Sequence, residues 1–235
     1  MCICVQHVGT HKFSVKNYQL ACRSPTKIDE LGTAIFVHNK VTFEPIQLQA
    51  GPLQASALKL HLPDNRNITL CNIYNQPSHH YDLALLPQIL NQCSQPLLLM
   101  GDFNAHHPLW DDNCIQADTP GLLLENLLNA DGYCCLNESE SKTYLSLTHG
   151  TLSSVDITIC SADIVDRFEW IVSDDLYTSD HYPIIISYLG HSPLPYIPRF
   201  NINKADWDKF RQYTRDIPML KPSEGHSETF KFFTD

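Results

Sequence analysis

The sequence predicts an α/β domain, and three observations predict it. Short apolar runs of strand length recur between residues 33 and 188. Two stretches with helical apolar spacing lie among them, at residues 81–93 and 120–130. The composition is globular, with 43% hydrophobic and 18% charged residues in a chain of 235, enough for one domain of about 190 residues and a tail.

The elements follow in chain order. Ile3-Cys4-Val5 is a short strand, and Thr33-Ala34-Ile35-Phe36-Val37 a stronger one. From Ala55 to Leu62 the pattern alternates, so one face of that strand is expected to be buried and the other half-exposed. The turn cluster Asp64-Asn65-Arg66-Asn67 and the apolar run Ile68–Tyr74 make the pair a hairpin. Residues 81–93 place Leu83, Leu86, Leu90 and Cys93 on one helical face, with Pro87 either kinking the helix or sitting in its first turn. Leu97–Met100 reads as a buried strand that Gly101 ends. Residues 120–130 form a second helix with Leu123, Leu124, Leu127 and Leu128 on one face and Asp131-Gly132 as its stop. Val155–Ile159 and Ile184–Tyr188 are the last strands. Pro193, Pro195 and Pro198 then mark an extended linker, followed by a short amphipathic helix carrying Trp207 and Phe210. The expected division is therefore a domain over 1–190 and a linker with helix over 191–235.

Composition narrows the function. No apolar run reaches the roughly 18–20 residues of a membrane span, and Met1–Thr10 lacks the basic and apolar regions of a signal peptide. Nine cysteines form no paired CxxC metal spacing, so buried free thiols in a reducing, intracellular compartment are expected. The net charge of −10, with only 16 Lys and Arg, lacks the basic footprint of a tight nucleic-acid binder. A metal-dependent phosphodiesterase tolerates such a charge because its cation offsets the repulsion locally.

Three segments carry chemistry. In Gly101-Asp102-Phe103-Asn104, a carboxylate and a carboxamide stand two positions apart at a strand end, where side chains i and i+2 point the same way. Asp180-His181 pairs a carboxylate with an imidazole before an apolar run, and Asp156 sits inside another apolar run. Each has a plainer reading: an Asx-turn after a strand, a turn before a strand, a solvent-facing residue of an edge strand. His106-His107 look like metal ligands, but adjacent residues rarely ligate together, and packing beside Trp110 fits them better.

Taken together, Gly101–Trp110, Ser154-Val155-Asp156-Ile157-Thr158-Ile159 and Ser179-Asp180-His181-Tyr182-Pro183-Ile184 resemble the endonuclease/exonuclease/phosphatase superfamily. The closer resemblance is to endonuclease domains of jockey-type non-LTR retrotransposons. Gly32–Val37 and Asn72-Ile73-Tyr74-Asn75 add weaker support, all in the family's order. The resemblance implies a two-sheet α/β sandwich flanked by helices, a DNase I-like fold. It also implies a metal-dependent endonuclease that nicks target DNA, with Mg²⁺ or Mn²⁺ as cofactor. DNA would be its substrate, a reverse transcriptase domain its partner in the full element, and the nucleus its location.

By the same resemblance Asp102 is the general base, and Asn104 hydrogen-bonds the phosphate or the attacking water. Asp180 holds the metal, His181 contacts the scissile phosphate, and Asp156 fixes that imidazole. Tyr74 matches a phosphate-facing tyrosine. The start departs from the pattern. Cys2-Ile3-Cys4-Val5-Gln6-His7 resembles the family's second strand, so the first strand and its helix are expected to be missing. His7 stands where a metal-binding glutamate should be, and imidazole suits softer metals than Mg²⁺. An inactive remnant or binding module of the same fold, and a small-phosphoester phosphatase, are the alternatives.

Overall fold

The computed structural model describes residues 1–9, 14–24, 31–62, 64–77, 82–130 and 132–190, together with Lys209 and Gln212; the side chains of His7 and Asp82 fall outside this set. The chain divides into two compact units, Met1–Pro193 and Leu194–Asp235. The linker and helix expected over 191–235 lie almost wholly outside the described residues, of which Lys209 and Gln212 are helical.

The first unit is built from thirteen strands and two α-helices. They are β1 (Cys2–Val8), β2 (Tyr18–Arg23), β3 (Gly32–His38), β4 (Phe43–Ile46), β5 (Gln54–His61), β6 (Asn67–Tyr74), α1 (Leu86–Leu90), β7 (Leu97–Asp102), α2 (Thr119–Asn129), β8 (Tyr133–Cys135), β9 (Tyr144–Leu145), β10 (Leu152–Ser153), β11 (Asp156–Ser161), β12 (Phe168–Val172) and β13 (Ile184–Tyr188). A six-stranded sheet in the order β4-β5-β6-β7-β11-β8 forms the centre. Its ladders are antiparallel except β6–β7, whose parallel pairing is made possible by the crossover through α1.

Each face of the central sheet is covered. On one side Ala55, Ala57, Cys71, Ile73, Leu97, Leu99 and Ile157 pack with Leu86, Ile89 and Leu90 of α1 and Leu124 of α2. On the other, Leu58, Leu60, Leu70, Leu98 and Cys160 meet Ile35 and Val37 of the sheet β1-β3-β2, with Phe168 and Ile186 of the hairpin β12-β13 alongside. Buried Asn72 ties the two layers: its amide donates to the carbonyls of Val5 and Ala34 (3.0 and 3.3 Å) and accepts from Gln6 (2.6 Å).

This arrangement corrects two expectations. The alternating run in β5 is buried on both faces, because α1 covers Ala55 and Ala57 while β3 covers Leu58 and Leu60. Gly101 does not end its strand, since β7 runs on through Asp102. The glycine answers close approach by β6 instead: with φ +145°, a Cβ there would lie 1.9 Å from the Ile73 carbonyl oxygen.

The helices follow the sequence closely. A 3₁₀ turn over Asp82–Leu85 leads into α1, and Pro87 sits in its first turn, where the missing N–H has no partner to lose. Asp118 caps α2 by accepting from Gly121 N (2.7 Å), and the same oxygen accepts from His106 N (3.1 Å), pinning the loop after β7 to the helix. His107 accepts from Leu109 N through Nδ1 (3.0 Å) and stacks on buried Trp110 with ring centroids 4.9 Å apart, so it is packed as the sequence suggested and ligates nothing. All nine cysteines are free.

Candidate active site

The site is a row across three adjacent strands. In parallel register β6 sets Tyr74 beside Asp102 of β7, and in antiparallel register β11 sets Asp156 beside Asp102. Tyr74, Asp102 and Asp156 therefore share one edge of the sheet and one face, the face turned toward β1 and β13. Below them lie the rows Asn72–Met100–Thr158 and Leu70–Leu98–Cys160. Asp156 is buried in the sheet interior, flanked by β7 and β8, and is not an edge-strand residue facing solvent.

His181 reaches this row from a different element. An isolated bridge pairs it with Tyr144, and Leu145 N donates to Asp180 O (2.8 Å) while Tyr182 N donates to Thr143 O (2.8 Å). The imidazole lies against the Tyr144 ring at a centroid separation of 4.9 Å. Its Nδ1 sits 2.8 Å from Asp156 Oδ2. Ligand atoms of Asp102, Asp156 and His181 all lie within 4.8 Å of one another, the one group of three or more candidate metal ligands among the described residues.

The strand end is locked by side chain to backbone bonds. Asn104 adopts φ +44°, which asparagine tolerates. Its N–H donates to Asp102 Oδ1 (3.0 Å) and its amide to Asn75 O (2.9 Å). Asn75 in turn donates from its backbone to Asp102 O and from its amide to Phe103 O, both at 2.8 Å. Thr143 Oγ1 accepts from Val155 N and Asp156 N (3.2 and 3.1 Å). Asn137 donates to Asp156 O and accepts from Thr158 N, both at 2.8 Å, extending the ladder where β8 stops. Asn75, Asn137, Thr143 and Tyr144 escaped the sequence reading. They belong to no motif, and only the observed pairing shows what they hold.

The electrostatics follow from burial and proximity. Burial alone would depress His181. The hydrogen bond to Asp156 and the charges of Asp156, Asp102 and Asp180 outweigh it and raise the imidazole to about 9. Burial pushes the Asp156 carboxyl up, opposed by its hydrogen bond to His181. Burial, then the Asp102 charge, raises the Tyr74 phenol. His181 is thus an imidazolium at neutral pH, with Nδ1–H on Asp156 and Nε2–H as its second donor. An NMR titration of the ring should show a midpoint near 9 where an unperturbed histidine gives about 6.5. Because this raised value belongs to the folded state, its stabilisation is full below about pH 6.5 and is lost as pH rises through about 9. A midpoint at or below 6.5 would contradict the ion pair.

Asp180, a half-exposed residue, lines the same cavity as the row and adds its charge to His181, although it is not among the three clustered ligands. His7 lies in β1, with its side chain outside the described residues.

A family model described as endonuclease-reverse transcriptase matches residues 68–185, half of the chain, and covers Tyr74, Asp102, Asn104, Asp156, Asp180 and His181. The chain belongs to this family. A probable RNA-directed DNA polymerase from transposon BS of Drosophila melanogaster is 28% identical over 158 residues, which are 66% of this chain and 17% of that protein. The chain thus spans about a sixth of that relative. Among solved structures, the endonuclease domain of TRAS1, a telomere-specific non-LTR retrotransposon, superposes with a TM-score of 0.64 at 23% identity, covering 74% of this chain and 81% of that one. The catalytic domain of Xenopus laevis APE2 gives 0.55 at 15% identity, with coverages of 80% and 82%. The endonuclease/exonuclease/phosphatase fold expected from the motifs is the fold observed. No helix among the described residues is long and apolar enough to cross a membrane.

Proposed function

We propose that this chain is a metal-dependent DNA endonuclease that hydrolyses a phosphodiester bond to nick a retrotransposition target. The observation that carries the reading is the convergence of Asp102, Asp156 and His181 within 4.8 Å at the end of one sheet face. Asp102 accepts the proton of the attacking water, and Asn104, held beside it, orients that water or the phosphate. His181 donates from Nε2 to a phosphate oxygen as charge builds there, and Asp156 fixes the ring that does so. Tyr74 supplies a further hydroxyl in the same row.

The donor set fits a hard divalent cation, since Asp102 and Asp180 offer carboxylate oxygens at one cavity end. Mg²⁺ or Mn²⁺ there would offset phosphate charge and polarise the P–O bond. His7 occupies the position of a glutamate ligand and weakens that site. DNA is the proposed substrate, a reverse transcriptase domain the proposed companion, and the nucleus the proposed place of action. The proposed boundary of the nuclease domain lies near residue 190.

The test is relaxation of supercoiled plasmid with Mg²⁺ and with Mn²⁺. Wild type should nick at least about 100-fold slower than a relative carrying the glutamate, since even indirect losses around a metal reach 10–100-fold. Asp102→Ala should abolish the residual activity, and His7→Glu should raise the Mg²⁺-dependent rate. Nicking that survives in Asp102→Ala would refute the assigned base. Full activity in the unmodified chain would refute a weakened metal site.

A further inference from the structure

The layer that covers the catalytic face is in two pieces. The sheet β1-β3-β2 ends in β1, which pairs with β3 alone, and the hairpin β12-β13 ends in β13, which pairs with β12 alone. No ladder joins β1 to β13 among the described residues. Both edges line one cavity of about 1290 Å³, β1 with residues 1–6 and β13 with Ile184, Ile186 and Tyr188. That volume exceeds the ~300–1,000 Å³ of ordinary small-molecule sites.

Its floor is the central sheet: Leu70 of β6, Leu98 and Met100 of β7, and Thr158 of β11, ending on Asp102 and Asp156. The cavity is therefore a slot with an apolar floor and two walls of peptide backbone. Inward residues that a complete layer would bury remain only partly covered, among them Cys2, Cys4, Met100, Phe168 and Ile186. A sheet edge presents a row of N–H and C=O groups that demands another strand. A slot walled by two such edges is satisfied on both sides only by backbone, and neither a helix nor a small molecule can offer that.

We propose that the slot between β1 and β13 accepts an extended polypeptide strand, supplied by a partner segment that is apolar at alternate positions. It joins β12-β13 to β1-β3-β2 as one continuous layer over the central sheet. The walls fix its length at five to seven residues, the lengths of β13 and β1. Its inward side chains rest on Leu70, Leu98 and Met100. Prolines are excluded from its middle, because each would leave an edge carbonyl unpaired. The only cation on the slot's lining outside histidine is Lys40, whereas Asp102, Asp156 and Asp180 stand at the catalytic end. A neutral or cationic residue belongs at that end of the incoming strand. Once in place, the strand walls the Tyr74–Asp102–Asp156 row and makes completion of the site depend on the partner.

The test is amide hydrogen exchange of the full chain with and without a seven-residue synthetic peptide of alternating Thr and Val, flanked by Lys for solubility. The expected result is slowing by about tenfold or more at the amides of both β1 and β13. The same peptide with Pro at its centre should have no effect. Ile186→Lys, which puts a charge on the slot wall, should abolish the slowing while leaving the melting temperature of the peptide-free chain within a few degrees. Slowing at one edge only, no slowing, or full protection of both edges in the peptide-free chain at every protein concentration would overturn the proposal. Protection that appears without peptide as protein concentration rises would also overturn it, in favour of pairing between copies. The readout is independent of nicking, so its failure leaves the nuclease reading standing, and loss of the nuclease reading leaves the slot.

Discussion

Asp156→Asn is expected to lower the nicking rate by about 10²–10⁴-fold, the range over which a carboxylate that orients and charges an imidazole matters. Asparagine keeps the shape and can still accept at one atom, so packing against Asp102 and Thr158 changes little. What it removes is the charge. In wild type the Asp156 hydrogen bond and charge hold His181 near 9 against a burial that pulls the other way. Without them burial prevails, and the ring should titrate well below 9 and lose its proton at neutral pH. The alkaline limb of the pH–rate profile should move down with it. The measurement pairs plasmid nicking across pH 5–10 with the NMR titration of His181 in both proteins. A drop in rate with an unmoved His181 midpoint would mean that Asp156 acts otherwise, as a metal ligand or a prop for β11. An unmoved rate would remove the pair from the mechanism.

The site was legible wherever the chemistry sits in the side chains of a short run. Gly101-Asp102-Phe103-Asn104 and Asp180-His181 name their residues outright, and a central strand carrying Asp156 can be read from its apolar neighbours. The long strands β3, β5, β6, β7, β11 and β13 have apolar runs of sufficient length, and their positions follow the sequence. By contrast β2, β4, β8, β9, β10 and β12 were not read. Two of them are pairs of residues, and β4 contains Pro45. They are strands because β3, β5, β11 and β13 offer an edge for pairing, a tertiary cause with no local signature. The supports Asn75, Asn137 and Thr143 are hidden for the same reason. Each acts by substituting for a missing backbone partner, and the need for that partner exists only once the ladder is known. The role of Gly101 was misread because a glycine inside a strand and one at its end look alike until Ile73 is placed beside it.

The second large effect lies away from the catalytic row. Lys142→Met should destabilise the chain by about 3–5 kcal/mol, the usual result of stranding one member of a buried ion pair. Asp111 has a side chain 2% exposed, and Lys142 Nζ lies 2.7 Å from its Oδ1. Lys142 also bonds Asp112 and the carbonyl of Ser139 (2.8 Å). The Lys142 ammonium, depressed by burial but raised more by hydrogen bonds to Asp111 and Asp112, is held in its charged form. Asp111 also accepts from Asn113 N and Ser154 N, both at 3.0 Å. The pair therefore clamps the loop after β7 onto the segment that enters β11, one residue from the Thr143 that supports Asp156. Methionine keeps the length and apolar stem of lysine, so packing loss is small and the effect reports the unpaired carboxylate. The melting temperature should fall by on the order of 10 °C for a chain of this size. Adding Asp111→Asn should restore part of that fall, because a neutral amide can still accept from Ser154 N without a buried charge. Thermal melts of wild type, Lys142→Met, Asp111→Asn and the double variant give the coupling directly. A single-variant loss under about 1 kcal/mol would place the pair with ordinary surface ion pairs, and additivity in the double variant would mean that Lys142 and Asp111 stabilise the loop independently.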